Sequence, residues 1–150
     1  TFSSGGDSAR FFIWKTGFEM IKENPFLGKG LKTFTEYFQQ YALKLNPSYL
    51  GPSFNAHNSY IQIWAESGVF ALLSFLIFIG IILYKGIKLV KNNQSRIIVL
   101  LIMGIICGVF SDLINCFFDS HLLFLQTSAP FWFLLGFLQS VITNSLKQFS

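Results

Sequence analysis

Two stretches of this chain leave the polypeptide almost no choice of fold. Val69 to Tyr84 holds no charged residue, and Ile97 to Phe118 holds only Asp112. In lipid, every backbone N–H and C=O of such a segment must be satisfied within the segment, and a helix does this. About 20 mainly apolar residues are needed to cross a bilayer as a helix. The second run meets that length, as a span of about 97–118. The first meets it by recruiting Ala65 to Gly68, giving about 65–84. A third run, Ala129 to Ile142, needs part of the Leu122 to Leu125 segment and must hold Pro130 inside it, giving about 124–142. The balance of the whole chain agrees. Its mean hydropathy is +0.52 and 12% of its residues are charged, against about 25% in a soluble domain. The expected fold is an all-α membrane protein with three transmembrane helices over residues 59–150. An extracytoplasmic segment, residues 1–58, precedes them.

Charge sets the expected topology. The connector from Lys85 to Arg96 carries Lys85, Lys88, Lys91 and Arg96 and no acid, so the positive-inside rule places it in the cytoplasm. Residues 1–64 and the connector Asp119 to Ser128, which has no Lys or Arg, are then extracytoplasmic, and the tail with Lys147 returns inside. The chain opens on Thr1 without a charged n-region and apolar h-region, so no signal peptide is read there. It reads as the C-terminal piece of a longer protein. Missing N-terminal transmembrane helices of the same protein are expected partners, and the piece alone is not expected to be active.

The extracytoplasmic segment reads as two amphipathic helices and a loop. Asp7 or Ser8 is placed to cap a helix over about 9–23, which Asn24-Pro25 ends. After the glycine turn Phe26 to Gly30, a second helix spans about 33–45. Phe34, Tyr37, Phe38, Tyr41 and Leu45 form its apolar stripe. Ser48 to Ala56 is loop.

Several sites are excluded. Cys107 and Cys116 on one helix would lie roughly 13 Å apart along its axis, too far for a disulfide. Two Cys and two scattered His make no metal-ligand spacing, so no metal and no cofactor is expected. The basic residues are dispersed, so nucleic acid is not an expected partner. No P-loop, GxSxG elbow or EF-hand loop is present.

Four places carry candidate chemistry. At 100° per residue Arg10 shares a face with Trp14, Gly17 and Ile21, while Lys15, Glu19 and Lys22 fall opposite. A fixed charge on an apolar face needs an anionic partner, and a phosphate suits the planar guanidinium. Equally, Arg10 in a first turn can reach solvent or pair with Asp7. His57 precedes a helix start, because Ser59-x-x-Gln62 fits a capping box. The positive end of the helix dipole beside it favours the neutral imidazole that a general base requires. A loop histidine bonded to backbone is the plainer alternative. Gly108, Ser111, Asp112, Asn115 and Asp119 share one face at helical spacing, and an ionisable Asp112 inside a membrane is a functional candidate or a structural partner to a basic residue. Asp119 and His121 are expected at the surface. Glu66, near the membrane boundary, could orient His57 or a substrate hydroxyl, or simply mark that boundary.

Taken in order, Ser8-Ala9-Arg10 with Trp14, then Pro25-x-x-Gly28-x-Gly30, Phe34, His57-Asn58-Ser59-Tyr60 and Glu66-Ser67-Gly68 resemble the O-antigen ligase and polysaccharide polymerase family. The resemblance covers most of residues 8–85. It implies a multi-pass enzyme of the bacterial inner membrane whose active-site loop is extracytoplasmic. Such an enzyme moves a glycan from an undecaprenyl-diphosphate lipid to an acceptor glycan or lipid, as in lipopolysaccharide or capsule assembly. Arg10 and His57 match the family's essential arginine and histidine. Arg10 would hold the diphosphate, and His57 would activate or orient the acceptor hydroxyl. Asn58, Tyr60, Glu66 and Asp112 would line the substrate site. The diphosphate is already a good leaving group, so the transfer is expected to be metal-independent. A different class of reading is a non-enzymatic glycolipid-handling or transport protein, with Arg10 and the Asp112 stripe lining a path.

Overall fold

The computed structural model describes residues 6–92 and 95–147. Five α-helices account for most of them: α1 (Gly6–Glu23), α2 (Phe34–Leu45), α3 (Ser59–Asn92), α4 (Arg96–Asn115) and α5 (Leu125–Lys147). A short 3-10 turn, His121–Leu123, precedes α5, and the described residues contain no strand. The side chains of Asp7 and Lys147 lie outside what is described. The Asp7 cap and a charged cytoplasmic tail are therefore not placed.

The chain divides into two compact units. The first runs to Ser74 and includes Cys116–His121. Its core joins Ile13, Met20 and Ile21 of α1 to Phe34, Phe38, Tyr41 and Ala42 of α2, with Ile61 and Ala65 of α3 beneath them. Gly17 lets α1 approach this closely. A Cβ there would lie 2.7 Å from Ile61 Cγ2 and 3.2 Å from the Phe34 ring. Tyr49 of the loop after α2 stacks on Phe12, with ring centroids 5.3 Å apart.

The main chain of α3 breaks at Gly68, which takes φ 81° and ψ 173°. An unbroken helix would send the Val69 amide to the Ala65 carbonyl. Here Val69 N donates to Pro25 O at 2.9 Å instead. The released carbonyls of Ala65 and Glu66 accept Lys29 N at 2.9 Å and Gly30 N at 2.8 Å. Trp64 Nε1 adds a bond to Pro25 O at 3.0 Å. The loop 25–30 thus supplies the partners that the break removes, as buried backbone groups require. Contact is backbone to backbone: a Cβ on Gly28 would collide with the Glu66 carbonyl, and one on Gly68 with the Phe26 carbonyl. Both glycines also hold positive φ, which an L side chain resists.

The second unit comprises Phe75–Asn115 and the chain from Leu122 onward. Ile79 and Ile82 of α3, Ile102, Ile105 and Val109 of α4, and Phe131, Leu135 and Leu138 of α5 are buried in it. Outward-facing residues are also apolar, among them Ile77 and Phe78 on α3 and Leu100 and Phe110 on α4. Among the described residues two helices, α3 and α4, are long and apolar enough to cross a membrane. The third expected span forms a helix of 23 residues, but Pro130 lies inside it and Gln126, Thr127, Gln139 and Thr143 dilute its ends. Among the described residues it is not one of the two helices that meet that length and apolarity.

Two local expectations change. The four-charge connector is helical as far as Asn92, so Lys85, Lys88 and Lys91 ride exposed on α3. The second apolar run stops being helical at Asn115 rather than Phe118, for a reason that lies in the first unit.

Candidate functional site

Asn58 begins α3. Its Oδ1 accepts the amide of Ile61 at 3.0 Å, and its carbonyl accepts Gln62 N at 3.1 Å. This is an N-cap, one residue earlier than the Ser59 capping box expected from sequence. Ser59 is unavailable as a cap because its polar groups are engaged elsewhere. Its amide donates to Cys116 O at 2.8 Å and to Asp119 O at 3.1 Å, and its hydroxyl to Asp119 O at 2.9 Å. Asn58 Nδ2 donates to Phe117 O at 3.2 Å, and Asn58 N to Ser120 Oγ at 3.2 Å. The carbonyls that a longer α4 would have carried into its final turn are thus taken by the first residues of α3. This exchange ends α4 and clamps 116–120 to 58–59. The Tyr60 ring packs on Phe117, with centroids 4.7 Å apart.

His57 sits at the edge of this clamp with φ 47°, in the left-handed region. Its neighbours are buried and held: Ala56 N donates to Gln62 Oε1 at 3.3 Å, and Asn58 is fixed as described. The imidazole itself is 43% exposed. Its Nδ1 lies 3.9 Å from Asp119 Oδ1, on a carboxylate that is 58% exposed. The same Oδ1 accepts the Ser120 amide at 2.7 Å. A half-exposed imidazole on a fixed backbone beside a carboxylate can accept a proton from a bound hydroxyl.

Glu66 lies one helical turn beyond Gln62 on α3. It is 3% exposed, and its carboxylate accepts Lys32 N at 2.8 Å, Phe34 N at 3.2 Å and Gln62 Nε2 at 3.0 Å. It caps α2 from α3, while Thr33, the residue preceding that helix, gives no side-chain cap. A continuous polar line therefore runs from the Ala56 amide through Gln62 and Glu66 to the start of α2. It stiffens the backbone that presents His57.

Arg10 lies exposed on α1, and no carboxylate among the described side chains pairs with it. Gly17 and Ile21 are buried and Trp14 is half-buried, while Arg10, expected on the same face, is exposed. Arg10 escapes burial because it precedes Ile13, where the core begins. Asp112 belongs to α4 and is half-buried in the second unit. The stripe that linked it to Asp119 is cut where α4 ends, and Asp119 joins the first unit. His121, expected at the surface, is buried at 7% exposure.

Asp119 is the neighbour of His57 that spacing did not single out. Helical periodicity aligned it with Asp112, and no local signal ties it to a residue so distant in sequence.

A second charged cluster braces the first unit away from His57. Glu23 at the end of α1 pairs with Lys29 at 2.8 Å and Lys44 at 2.5 Å and accepts the Tyr41 hydroxyl. Hydrogen bonds from Lys29, Lys44 and Tyr41 hold the Glu23 carboxyl down at about 2. The bond to Glu23 raises Lys29 and Lys44 in turn.

Residues 2–76 match the family model described as O-antigen ligase. No curated protein and no solved structure matches the chain. The matched half contains the Pro25 to Gly30 loop, the Gly68 break it docks on, Arg10 and the whole His57 to Glu66 run. The chain belongs to the O-antigen ligase family, a membrane family of glycosyltransferase-type enzymes.

Proposed function

We propose that this chain forms the membrane-bound catalytic end of a bacterial envelope glycan polymerase or ligase. Its donor is a glycan on undecaprenyl diphosphate, and its acceptor is a sugar hydroxyl presented at the extracytoplasmic face. The observation that carries this reading is the exposed imidazole of His57 on a clamped backbone, inside the stretch that matches the family. His57 takes the acceptor hydroxyl proton while the oxygen attacks the anomeric carbon. The bond from that carbon to the diphosphate oxygen breaks, and its electron pair leaves with the lipid diphosphate. Attack opposite the leaving group inverts the anomeric centre.

The exposed guanidinium of Arg10 binds phosphate oxygens as charge develops on them. The leaving group is good, and in this reading the transfer needs no metal. Asn58 and Tyr60 serve the site by fixing His57. Glu66 serves it by holding α2 and Gln62, and Asp112 remains a candidate for the acceptor or lipid path on α4.

Transfer from a lipid-diphosphate glycan by the membrane-extracted enzyme tests the assignment. His57→Ala should lower kcat by about 10²–10⁴. Arg10→Lys, which keeps the charge and loses the bidentate fork, should weaken donor use while expression is maintained. Undiminished turnover in His57→Ala would remove the base and favour a glycolipid-handling protein. For topology, cysteines at Ser48 and Ser95 are expected to label from outside and inside the cell, respectively.

A further inference from the structure

We infer that Asp119 is the positioning carboxylate of His57, accepting its Nδ1–H and so leaving Nε2 as the basic nitrogen. The inference rests on the reading of His57 as base. The two residues come together because Asn58 and Ser59 hold 116–120 through Cys116 O, Phe117 O, Asp119 O and Ser120 Oγ. None of those bonds uses the Asp119 carboxylate. Among the described residues that side chain bonds only its own neighbour, the Ser120 amide, and it stands 58% exposed with Oδ1 3.9 Å from Nδ1. An ion pair this exposed contributes little to stability, so what the carboxylate does for the fold is hold the Ser120 amide, and its approach to His57 adds little to that. The gap exceeds a hydrogen bond, and a small turn of either exposed side chain closes it. Catalytic hydrogen bonds often tighten only when substrate binds.

The consequence is chemical. A neutral imidazole carries one ring proton, and the partner of one nitrogen decides which nitrogen keeps the lone pair. With Nδ1–H directed at Asp119, Nε2 faces outward as acceptor. When the acceptor O–H breaks and Nε2–H forms, the new imidazolium has a carboxylate beside it and the positive end of α3 opposed to it. Asp119 offsets that opposition without taking the proton itself, and the proton then passes to water once the lipid diphosphate has left. The same division of labour operates wherever a base is oriented by a third group.

The test uses the enzyme in nanodiscs with 15N-labelled histidine, the His57 signals being those lost in His57→Ala. In the wild type the neutral ring should show a protonated Nδ1 and an unprotonated Nε2. Asp119→Ala should shift the ring toward the Nε2–H tautomer. It should also lower kcat about tenfold or more with KM little changed, and cost no more stability than the loss of the Ser120 amide's acceptor explains. Asp119→Glu should restore part of both. Should Asp119→Ala fold poorly, Asp119→Asn gives the same comparison. Full turnover in Asp119→Ala alongside inactive His57→Ala would overturn this inference and leave the base assignment standing. A fall in kcat with an unchanged tautomer would also overturn it. Active His57→Ala would overturn both.

Discussion

The carboxylate of Glu66 accepts the main-chain amide of Lys32 at 2.8 Å, so a residue of α3 holds the start of α2. The amide of Phe34 joins it at 3.2 Å. A helix leaves its first amides without intrahelical partners, and α2 has no side-chain cap of its own. Glu66→Ala would take the acceptor from both amides, the buried one of Phe34 included, and should destabilise the protein by about 1–3 kcal/mol. Glu66→Gln, which retains one acceptor oxygen, should cost less. Thermal unfolding in detergent measures both. If Glu66 instead acts on substrate, the two variants would lose turnover at full stability.

Gly68→Ala is expected to be more damaging than its small change in volume suggests. The residue would need φ near 81° and would drive a methyl group into the Phe26 carbonyl. Backbone strain of this kind costs about 1–3 kcal/mol before any hydrogen bond is lost. Amide exchange should quicken at Lys29, Gly30 and Val69 together, since their bonds form one docking surface. Unchanged exchange at Lys29 would mean the loop docks without the break.

Asn58→Ala removes the α3 cap and the bond to Phe117 O at once. The cap alone is worth about 1 kcal/mol. The readout is chemical: Cys116 is 0% exposed beneath the clamp. In a Cys107→Ser background its thiol should label slowly in the wild type and faster in Asn58→Ala. Equal rates would show that the clamp survives without Asn58.

Acid should loosen the Glu23 cluster. The Glu23 carboxyl is lowered from 4.5 to about 2 by its bonds to Lys29, Lys44 and Tyr41. A carboxyl depressed on folding stabilises the folded state above its unfolded value, and that stabilisation is lost as pH falls through the folded one. Glu23→Gln should therefore unfold earlier than wild type at neutral pH. The difference should shrink between about pH 4.5 and about 2. Glu23 is a surface group, so the effect is small and added salt should reduce it further. A wild-type advantage that persists below pH 2 would assign the effect to packing instead.

Sequence by itself determined the elements whose causes are local. Apolar runs with at most one charge became the spans of α3 and α4, Asn24-Pro25 ended α1, and Phe34, Phe38 and Tyr41 of the expected stripe were buried while Tyr37 and Leu45 stayed exposed. It also singled out the ordered series from Arg10 to Gly68 that marks the family. Tertiary structure decided what depends on a partner far along the chain. Both Asn58 and Ser59 are good caps, and local spacing left the helix start at either one. Asn58 caps because Ser59 is bound to Cys116 and Asp119. Glu66 looked like a boundary or substrate residue because the amides it meets belong to another helix. Asp119 looked like the continuation of a helical stripe because nothing in its neighbourhood announces that α4 stops at Asn115. In each case the deciding energy is a hydrogen bond to a backbone group brought near by folding. Periodicity and propensity describe a residue's own turn of helix, and such bonds lie outside it.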